Sequence, residues 1–157
     1  MNIQLKFMRK NSYDFSGTKH QIINESEINN KNIFHYTGVK CNSVNYIKSL
    51  FKPPFATPSV IIKKKILNEF KFNENIRHGE DFDLWLRILR FNRGYKINLP
   101  LTYTYKHDYL SSSSKSLSGD LKRMHQSNNK IFINHIKNEE YFLYKIIIFF
   151  ALIFEQI

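Results

Sequence analysis

A helix that is apolar almost all round, preceded by a glycine and opened by two carboxylates, constrains this chain more than any other feature. Residues 80–91 read Glu-Asp-Phe-Asp-Leu-Trp-Leu-Arg-Ile-Leu-Arg-Phe and include the single tryptophan of the sequence, Trp85. Its apolar side chains recur at helical spacing and cover most of the surface, which a helix can afford only when it is largely buried. The sequence therefore predicts that this helix begins at Glu80 and packs inside its domain.

The acidic residues of this helix have different explanations. Asp83, Arg87 and Arg90 fall at helical spacing and are predicted to share one solvated face, where an exposed pair is worth roughly a few tenths of a kcal/mol. Glu80 and Asp81 are not explained by that face. One interpretation is capping, because acidic residues at a helix N-terminus satisfy free N–H groups and suit the helix dipole. The other is chemical, because the preceding glycine lets a bound molecule approach both carboxylates.

Length and composition set broad limits. A chain of 157 residues can form one modest domain, and 42% apolar residues are enough to fill its core. The single cysteine, Cys41, excludes an intramolecular disulfide framework and is compatible with a reducing compartment. Residues 1–10 alternate polar and apolar side chains too quickly for a signal peptide. We therefore expect a cytoplasmic protein.

The net charge of +11 indicates an anionic partner. The lysines are spread along the chain, with one short run at residues 63–65, and neither zinc-finger spacing nor an aromatic-basic RNA-binding signature occurs. Nucleic acid is therefore not expected as a partner. Attraction to an anionic membrane surface explains the charge more economically.

The apolar segment 141–154 supports that interpretation. Its fourteen residues would span about 21 Å as a helix, short of the roughly 30 Å hydrocarbon core of a bilayer. A core helix and an interfacial helix both remain possible, and the aromatic residues together with Lys145 favour the interface. The expected location is peripheral, at the inner face of the cytoplasmic membrane.

The remaining pattern predicts alternating helices and strands. Helices are predicted over residues 2–9, 43–51, 63–69 and 119–137, and strands over residues 14–23, 57–62 and 95–105. Gly94 is predicted to end the helix that begins at Glu80. Pro100 predicts that the last strand is interrupted or lies at a sheet edge.

Several segments together resemble family 2 glycosyltransferases, which use sugar nucleotides and have the GT-A fold. Residues 79–87, Gly-Glu-Asp-Phe-Asp-Leu-Trp-Leu-Arg, are similar to the family's Gly-Glu-Asp-x-Asp-Leu-Trp-x-Arg-like signature. Tyr105-Lys106-His107 with Leu110-Ser111-Ser112 is similar to its Tyr-Arg-x-His and serine-rich closing motif. The resemblance covers about residues 2–109 and is strongest over 57–105.

The resemblance implies roles for three residues. Asp81 would be the catalytic base that takes the proton of the acceptor hydroxyl, and Glu80 would orient the acceptor or support Asp81. Mg²⁺ or Mn²⁺ is expected at the donor diphosphate of the complete enzyme, with His107 as a candidate ligand or, alternatively, a structural histidine. Trp85 is assigned to the core rather than to stacking on a sugar.

The metal-binding Asp-x-Asp motif of this family ends a hydrophobic strand. Asp81-Phe82-Asp83 has that form, but polar residues precede it and a helix follows, so it is not assigned as the metal motif. No other segment matches that motif or the nucleotide-binding βα units that precede it in the family.

We therefore expect an α/β fold whose residues 1–110 form the acceptor-side part of a GT-A domain that lacks its N-terminal nucleotide-binding half. A serine-rich linker at 111–119 and a C-terminal helical region at 120–157 would follow. The expected function is sugar transfer from a nucleotide-sugar donor to a glycan or lipid-linked acceptor in bacterial surface polysaccharide biosynthesis. It would require a complementing N-terminal half. The alternative is a non-catalytic basic module that docks on a membrane or on a partner transferase subunit.

Overall fold

The computed structural model describes residues 2–23, 39–105 and 121–155. The elements in chain order are α1 (Asn2–Lys10), β1 (Phe15–Ile23), β2 (Cys41–Val44), α2 (Tyr46–Phe51), a 3₁₀ helix (Thr57–Ser59), β3 (Val60–Ile62), α3 (Lys64–Glu69), α4 (Glu80–Phe91), β4 (Gly94–Tyr105), α5 (Leu121–Asn138) and α6 (Phe142–Phe154). The linker predicted at 111–119 and the candidate ligand His107 lie outside the described residues.

A mixed sheet of four strands, in the order β2–β4–β1–β3, forms one layer of the described structure. The two inner strands, β1 and β4, are parallel, and each outer strand is antiparallel to its neighbour. Helices pack against this sheet, so the predicted α/β class is confirmed.

Pro100 disturbs the pairing of the last strand, but the prediction of an interruption or an edge position is wrong, because β4 is continuous from Gly94 to Tyr105 and is an interior strand. β4 pairs with β2 from Gly94 to Ile97 and with β1 along most of its length. The register against β1 shifts on both sides of Lys19, the residue that faces Pro100. Because proline has no N–H to donate to a ladder, the irregularity lets pairing continue beyond it.

The core is built around α4, which lies between the sheet and the C-terminal helices. Leu84, Leu86 and Ile88 are completely buried. On the sheet side, Trp85 packs against Phe15 with ring centroids 5.4 Å apart. The prediction of a buried helix is confirmed, and Trp85 lies in the core as expected, with 3% of its surface exposed.

The two C-terminal helices close the other side of the core. Phe82 of α4 meets Phe132 of α5 edge to face, with ring centroids 5.9 Å apart. Ile148 and Ala151 of α6 are buried in the same cluster. Both helices lie close to where the sequence predicted them, and no helix in the described part of the chain is both long and apolar enough to cross a membrane.

Two predicted helix boundaries are wrong. Ser43 and Val44 belong to β2, and α2 begins after Asn45, whose side chain caps the helix by accepting a 2.8 Å hydrogen bond from the N–H of Ile47. At the other end of the core, α4 stops at Phe91 and Gly94 begins β4. Gly94 is required there for close packing.

A Cβ at Gly94 would lie 2.7 Å from Cδ2 of Leu89, which is closer than real Cβ contacts.

The predicted strand at 57–62 is also shorter than expected. Thr57–Ser59 forms a 3₁₀ turn and only Val60–Ile62 pairs with β1, which fits the fixed φ of Pro58 at the start of a helical turn.

The prediction that one face of α4 is solvated is also wrong. Asp83 is 4% exposed rather than solvated. Nε and Nη2 of Arg87 each lie 2.8 Å from its Oδ2, and Nε2 of His135 lies 3.4 Å from its Oδ1. Burial alone would raise the pKa of Asp83, but His135 and Arg87 outweigh it and the pKa lies below its ordinary value. The i, i+4 pairing was predicted correctly, but α5 covers it.

Arg90, which was also predicted to be solvated, forms an ion pair instead. Its Nε and Nη2 donate to the two carboxylate oxygens of Glu139, both at 2.9 Å. The guanidinium also lies over the Tyr144 ring, 4.2 Å from its centroid. This bidentate pair joins α4 to the turn between α5 and α6, and the guanidinium holds the pKa of Glu139 below its ordinary value.

We expect Asp83→Asn to destabilise the fold by roughly 2–4 kcal/mol, because it leaves Arg87 and His135 against a neutral buried amide. Urea unfolding followed by Trp85 fluorescence measures this. The folded-state pKa of Asp83 is depressed, so its contribution is present above the unfolded pKa of about 4 and disappears as pH falls through the folded pKa. The difference between variant and wild type should therefore shrink in acid.

The matched control is Asp14→Asn. Asp14 pairs with Lys63 and Lys65, whose side chains are 52% and 65% exposed, so its loss should cost about 0.5 kcal/mol. Equal effects at both positions would contradict a special role for the buried aspartate.

Candidate active site

The entry into α4 depends on Gly79. This residue is the N-cap and has left-handed backbone geometry, with φ 72° and ψ 20°. Its carbonyl accepts the first helical hydrogen bond, from the N–H of Asp83 at 2.9 Å. A Cβ at this position would lie 3.1 Å from Oδ1 of Asn128 and 3.3 Å from Cδ1 of Ile131. Glycine therefore satisfies both the backbone conformation and the close approach of α5.

Two donors position the half-buried Asp81 carboxylate. Oδ1 accepts a 2.7 Å hydrogen bond from the N–H of Phe82, and Oδ2 accepts one from the hydroxyl of Thr57. The first bond satisfies one of the free N–H groups in the first turn of α4, although the N-cap itself is Gly79 and has no side-chain cap. The second comes from the 3₁₀ helix, so the carboxylate bridges two elements while keeping further lone pairs free.

Thr57 was not predicted to be part of the site. The local pattern predicts a strand at residue 57, and a threonine in that strand has no reason to face the start of α4. The signal that could have identified it is the Thr-Pro pair, because the fixed φ of a proline favours the first turn of a helix over a paired strand.

A cleft of about 440 Å³ opens at the N-terminus of α4. Its apolar lining includes Leu50, Phe55 and Trp85. Its polar lining consists of Arg77, His78, Glu80, Asp81, Asn128 and Glu155. Mixed apolar walls with a few convergent polar groups are typical of small-molecule sites. Glu80 and Asp81, the two residues singled out from the sequence, both line this cleft.

The C-terminal helices form one wall of the cleft and hold the loop before Gly79. Oγ of Ser127 donates to the carbonyl of His78 at 2.6 Å. Nδ2 of Asn128 donates to Oε1 of Glu155 at 2.7 Å, and Nδ1 of His125 lies 3.5 Å from the same carboxylate oxygen. No signal in the sequence associates these residues with a site, because each is far from Asp81 along the chain.

The two aspartates of Asp81-Phe82-Asp83 face different surroundings. Asp81 lines the cleft, whereas Asp83 is buried against Arg87 and His135. Across residues 2–23, 39–105 and 121–155, no three His, Cys, Asp or Glu side chains are grouped as a metal site requires.

The sequence comparisons show that the chain contains a glycosyltransferase-like region. An uncharacterized glycosyltransferase of Rickettsia felis is 36% identical over 92 residues, which cover 59% of this chain and 15% of that protein. One from Methanocaldococcus jannaschii is 26% identical over 104 residues, covering 61% of this chain and 35% of the relative. No family model matches the sequence.

The most informative name belongs to an Escherichia coli relative. UDP-Glc:alpha-D-GlcNAc-diphosphoundecaprenol beta-1,3-glucosyltransferase, WfgD, is 29% identical over 123 residues, covering 78% of this chain and 46% of WfgD. The chain thus spans less than half the length of each of these relatives. The resemblance to glycosyltransferases found in the sequence is confirmed at this general level.

Gly79→Ala should destabilise the fold by roughly 1–3 kcal/mol, because alanine resists positive φ and its Cβ meets α5. The two causes can be separated with Asn128→Ala, which removes the atom 3.1 Å from the added Cβ. In a double-mutant cycle by urea unfolding, the Asn128→Ala background should relieve part of the cost while the backbone part remains. A Gly79→Ala variant as stable as wild type would contradict the left-handed cap.

Proposed function

We propose that this chain is the acceptor-side part of a family 2 glycosyltransferase with a GT-A fold. It acts in bacterial surface polysaccharide biosynthesis and transfers a sugar from a nucleotide-sugar donor to a glycan or lipid-linked acceptor. The similarity to glycosyltransferases supports the reaction class, and the name of WfgD, which specifies a diphosphoundecaprenol acceptor, supports the acceptor class. The observation that carries the proposal is the placement of Asp81, a carboxylate anchored at the mouth of a cleft.

In this mechanism Asp81 is the general base. An acceptor hydroxyl has a pKa far above 7, so its proton must move to a nearby carboxylate as its oxygen attacks the anomeric carbon of the donor. The bond from that carbon to the diphosphate breaks, and the electron pair leaves with the nucleoside diphosphate. The N–H of Phe82 and the hydroxyl of Thr57 hold the carboxylate in one orientation, which keeps an oxygen lone pair directed at the acceptor.

The other cleft residues have supporting roles. Glu80 lies beside Asp81 and orients the acceptor through its hydroxyl groups. Phe55 and Trp85 line the cleft from the core. They are only 5% and 3% exposed, so neither is assigned to stacking on a sugar.

Mg²⁺ or Mn²⁺ is proposed for the complete enzyme, where it would neutralise the departing diphosphate. The described residues do not supply a ligand set for such an ion, and the roles of Asp81, Glu80 and Thr57 do not depend on it. His107 stays a candidate ligand by family resemblance.

Asp81→Asn should remove nearly all turnover while leaving donor binding unchanged, because an amide has the shape of the carboxylate but cannot take a proton. The assay uses a hybrid in which this chain replaces the matching 123 residues of WfgD, with UDP-Glc and the diphosphoundecaprenol acceptor. We expect a loss of about 10²–10⁴-fold in kcat, the usual contribution of a general base. Thr57→Val should cost less, about tenfold, because it removes only the anchoring hydroxyl.

The control in the same hybrid is Asp14→Asn, whose carboxylate pairs with Lys63 and Lys65 and does not line the cleft. Its kcat should equal that of the parent. An Asp81→Asn hybrid that retains full turnover would exclude Asp81 as the base, whereas a folded parent hybrid without any turnover would favour the non-catalytic basic module.

The 157-residue chain alone is proposed to lack transferase activity and donor affinity, because the nucleotide-binding units of the family do not occur in its sequence. Isothermal titration with UDP-glucose should show no binding heat at micromolar protein, while the hybrid should bind. Micromolar affinity of the isolated chain would show that it carries a nucleotide site of its own.

A further inference from the structure

The helix α6 is buried on one side and apolar on the other. Ile148 and Ala151 are buried in the core, with 0% and 2% of their surface exposed. Its opposite side carries Phe142, Leu143, Phe149, Phe150 and Phe154, each between 52% and 77% exposed. These residues recur at helical spacing, so they form one continuous stripe. A monomer in water gains nothing from such a stripe, which indicates a contact with something apolar.

The stripe continues onto α2 and reaches the cleft. Phe51, at the end of α2, is 43% exposed and packs against Phe154 with ring centroids 5.9 Å apart. Phe51 also lines the cleft that contains Asp81, together with Glu155, the residue that follows Phe154. We use the term apolar face for Phe51, Phe142, Leu143, Phe149, Phe150 and Phe154. One end of this face therefore borders the candidate active site.

Three lysines lie beside the apolar face. Lys48 and Lys52 flank Phe51 and are exposed, and Lys145 is on α6 between the core side and the stripe. No acidic residue occurs in 41–56 or in 142–154.

Two of the three carboxylates at the ends of α6 have partners, and the third, Glu140, is exposed two residues before Phe142. Glu139 is held by Arg90, and Glu155 accepts from Asn128. A partner that fits this surface therefore has an apolar interior and anionic groups at its boundary.

We propose that the apolar face docks this chain peripherally on an anionic phospholipid surface. The phenyl rings would enter the boundary between headgroups and acyl chains while Lys48, Lys52 and Lys145 reach phosphate groups. A second copy of the chain is the less favourable occupant, because two molecules of net charge +11 repel each other. The docking does not depend on the proposed reaction. Its consequence, a cleft that opens beside the lipid, rests on that proposal.

The test is co-sedimentation of the full chain with vesicles of phosphatidylglycerol and phosphatidylcholine in equal parts, compared with phosphatidylcholine alone. We expect binding to the anionic vesicles that weakens with added salt, and little binding to the neutral ones. The triple variant Phe149→Ser, Phe150→Ser, Phe154→Ser should lower partitioning at least about tenfold. Lys48→Gln with Lys52→Gln should lower it about tenfold without touching the core.

The matched control is Phe91→Ser. Phe91 is 76% exposed but lies at the end of α4, outside the apolar face, so its variant should bind vesicles as wild type does. Urea unfolding of every variant checks the fold. If the triple serine variant does not fold, the proposal is tested by comparing the Lys48→Gln, Lys52→Gln double variant with Phe91→Ser.

Two results would overturn the proposal. One is a vesicle pattern that does not fit the face: wild-type binding is absent, or it is equal on neutral and anionic vesicles, or Phe91→Ser lowers partitioning as much as the triple variant does. The other is a dimer in sedimentation equilibrium that the triple variant dissociates, which would assign the face to a second copy. Because no sugar nucleotide is present, either result leaves the glycosyl-transfer proposal standing, and an inactive hybrid leaves the vesicle result standing.

Discussion

The burial of α4 on all sides is the constraint on which the rest of this structure depends. A helix enclosed by a sheet and two further helices needs partners for the charged side chains it carries, although Nε1 of Trp85 is buried without a hydrogen-bond partner. Asp83 and Arg90 do so through α5 and the turn that follows it, where His135 and Glu139 meet them. Apolar packing alone would let α5 slide along α4. The charged contacts have fixed directions and therefore favour one position. The position of α5 along α4 is thereby defined by charge as well as by shape.

That position determines the candidate site. With α5 held against α4, Asn128 lies over Gly79 and Ser127 holds the carbonyl of His78. The loop before α4 cannot move away from the cleft without breaking these contacts. On the other side, Thr57 reaches Asp81 from the 3₁₀ helix. The carboxylate is therefore placed by parts of the chain on both sides of the helix that carries it, as a preorganised base requires.

The sequence predicted what depends on local pattern. The burial of α4 and the start of that helix at Glu80 follow from spacing and from the chemistry of single residues. The partners of Asp83 could not be predicted, because an i, i+4 pair looks the same whether water or another helix covers it, and His135 lies far along the chain. Asn128 and Glu155 enter the cleft for the same long-range reason. The boundary at Gly94 was misjudged because a glycine that ends a helix and one that permits close packing by Leu89 have the same sequence signal.

The contacts from α5 and α6 to the cleft link ligand affinity to local stability. Ser127–His78 and Asn128–Glu155 are single hydrogen bonds, so opening of the C-terminal helix pair competes with an intact cleft. A ligand that binds only the closed form draws the equilibrium toward it and slows amide hydrogen exchange in α5 and α6, far from the atoms it touches. By the same linkage, anything that holds α6 in place raises the affinity of the cleft. A surface that anchors this helix would act as an effector of the site, even though it contributes no atom to the chemistry.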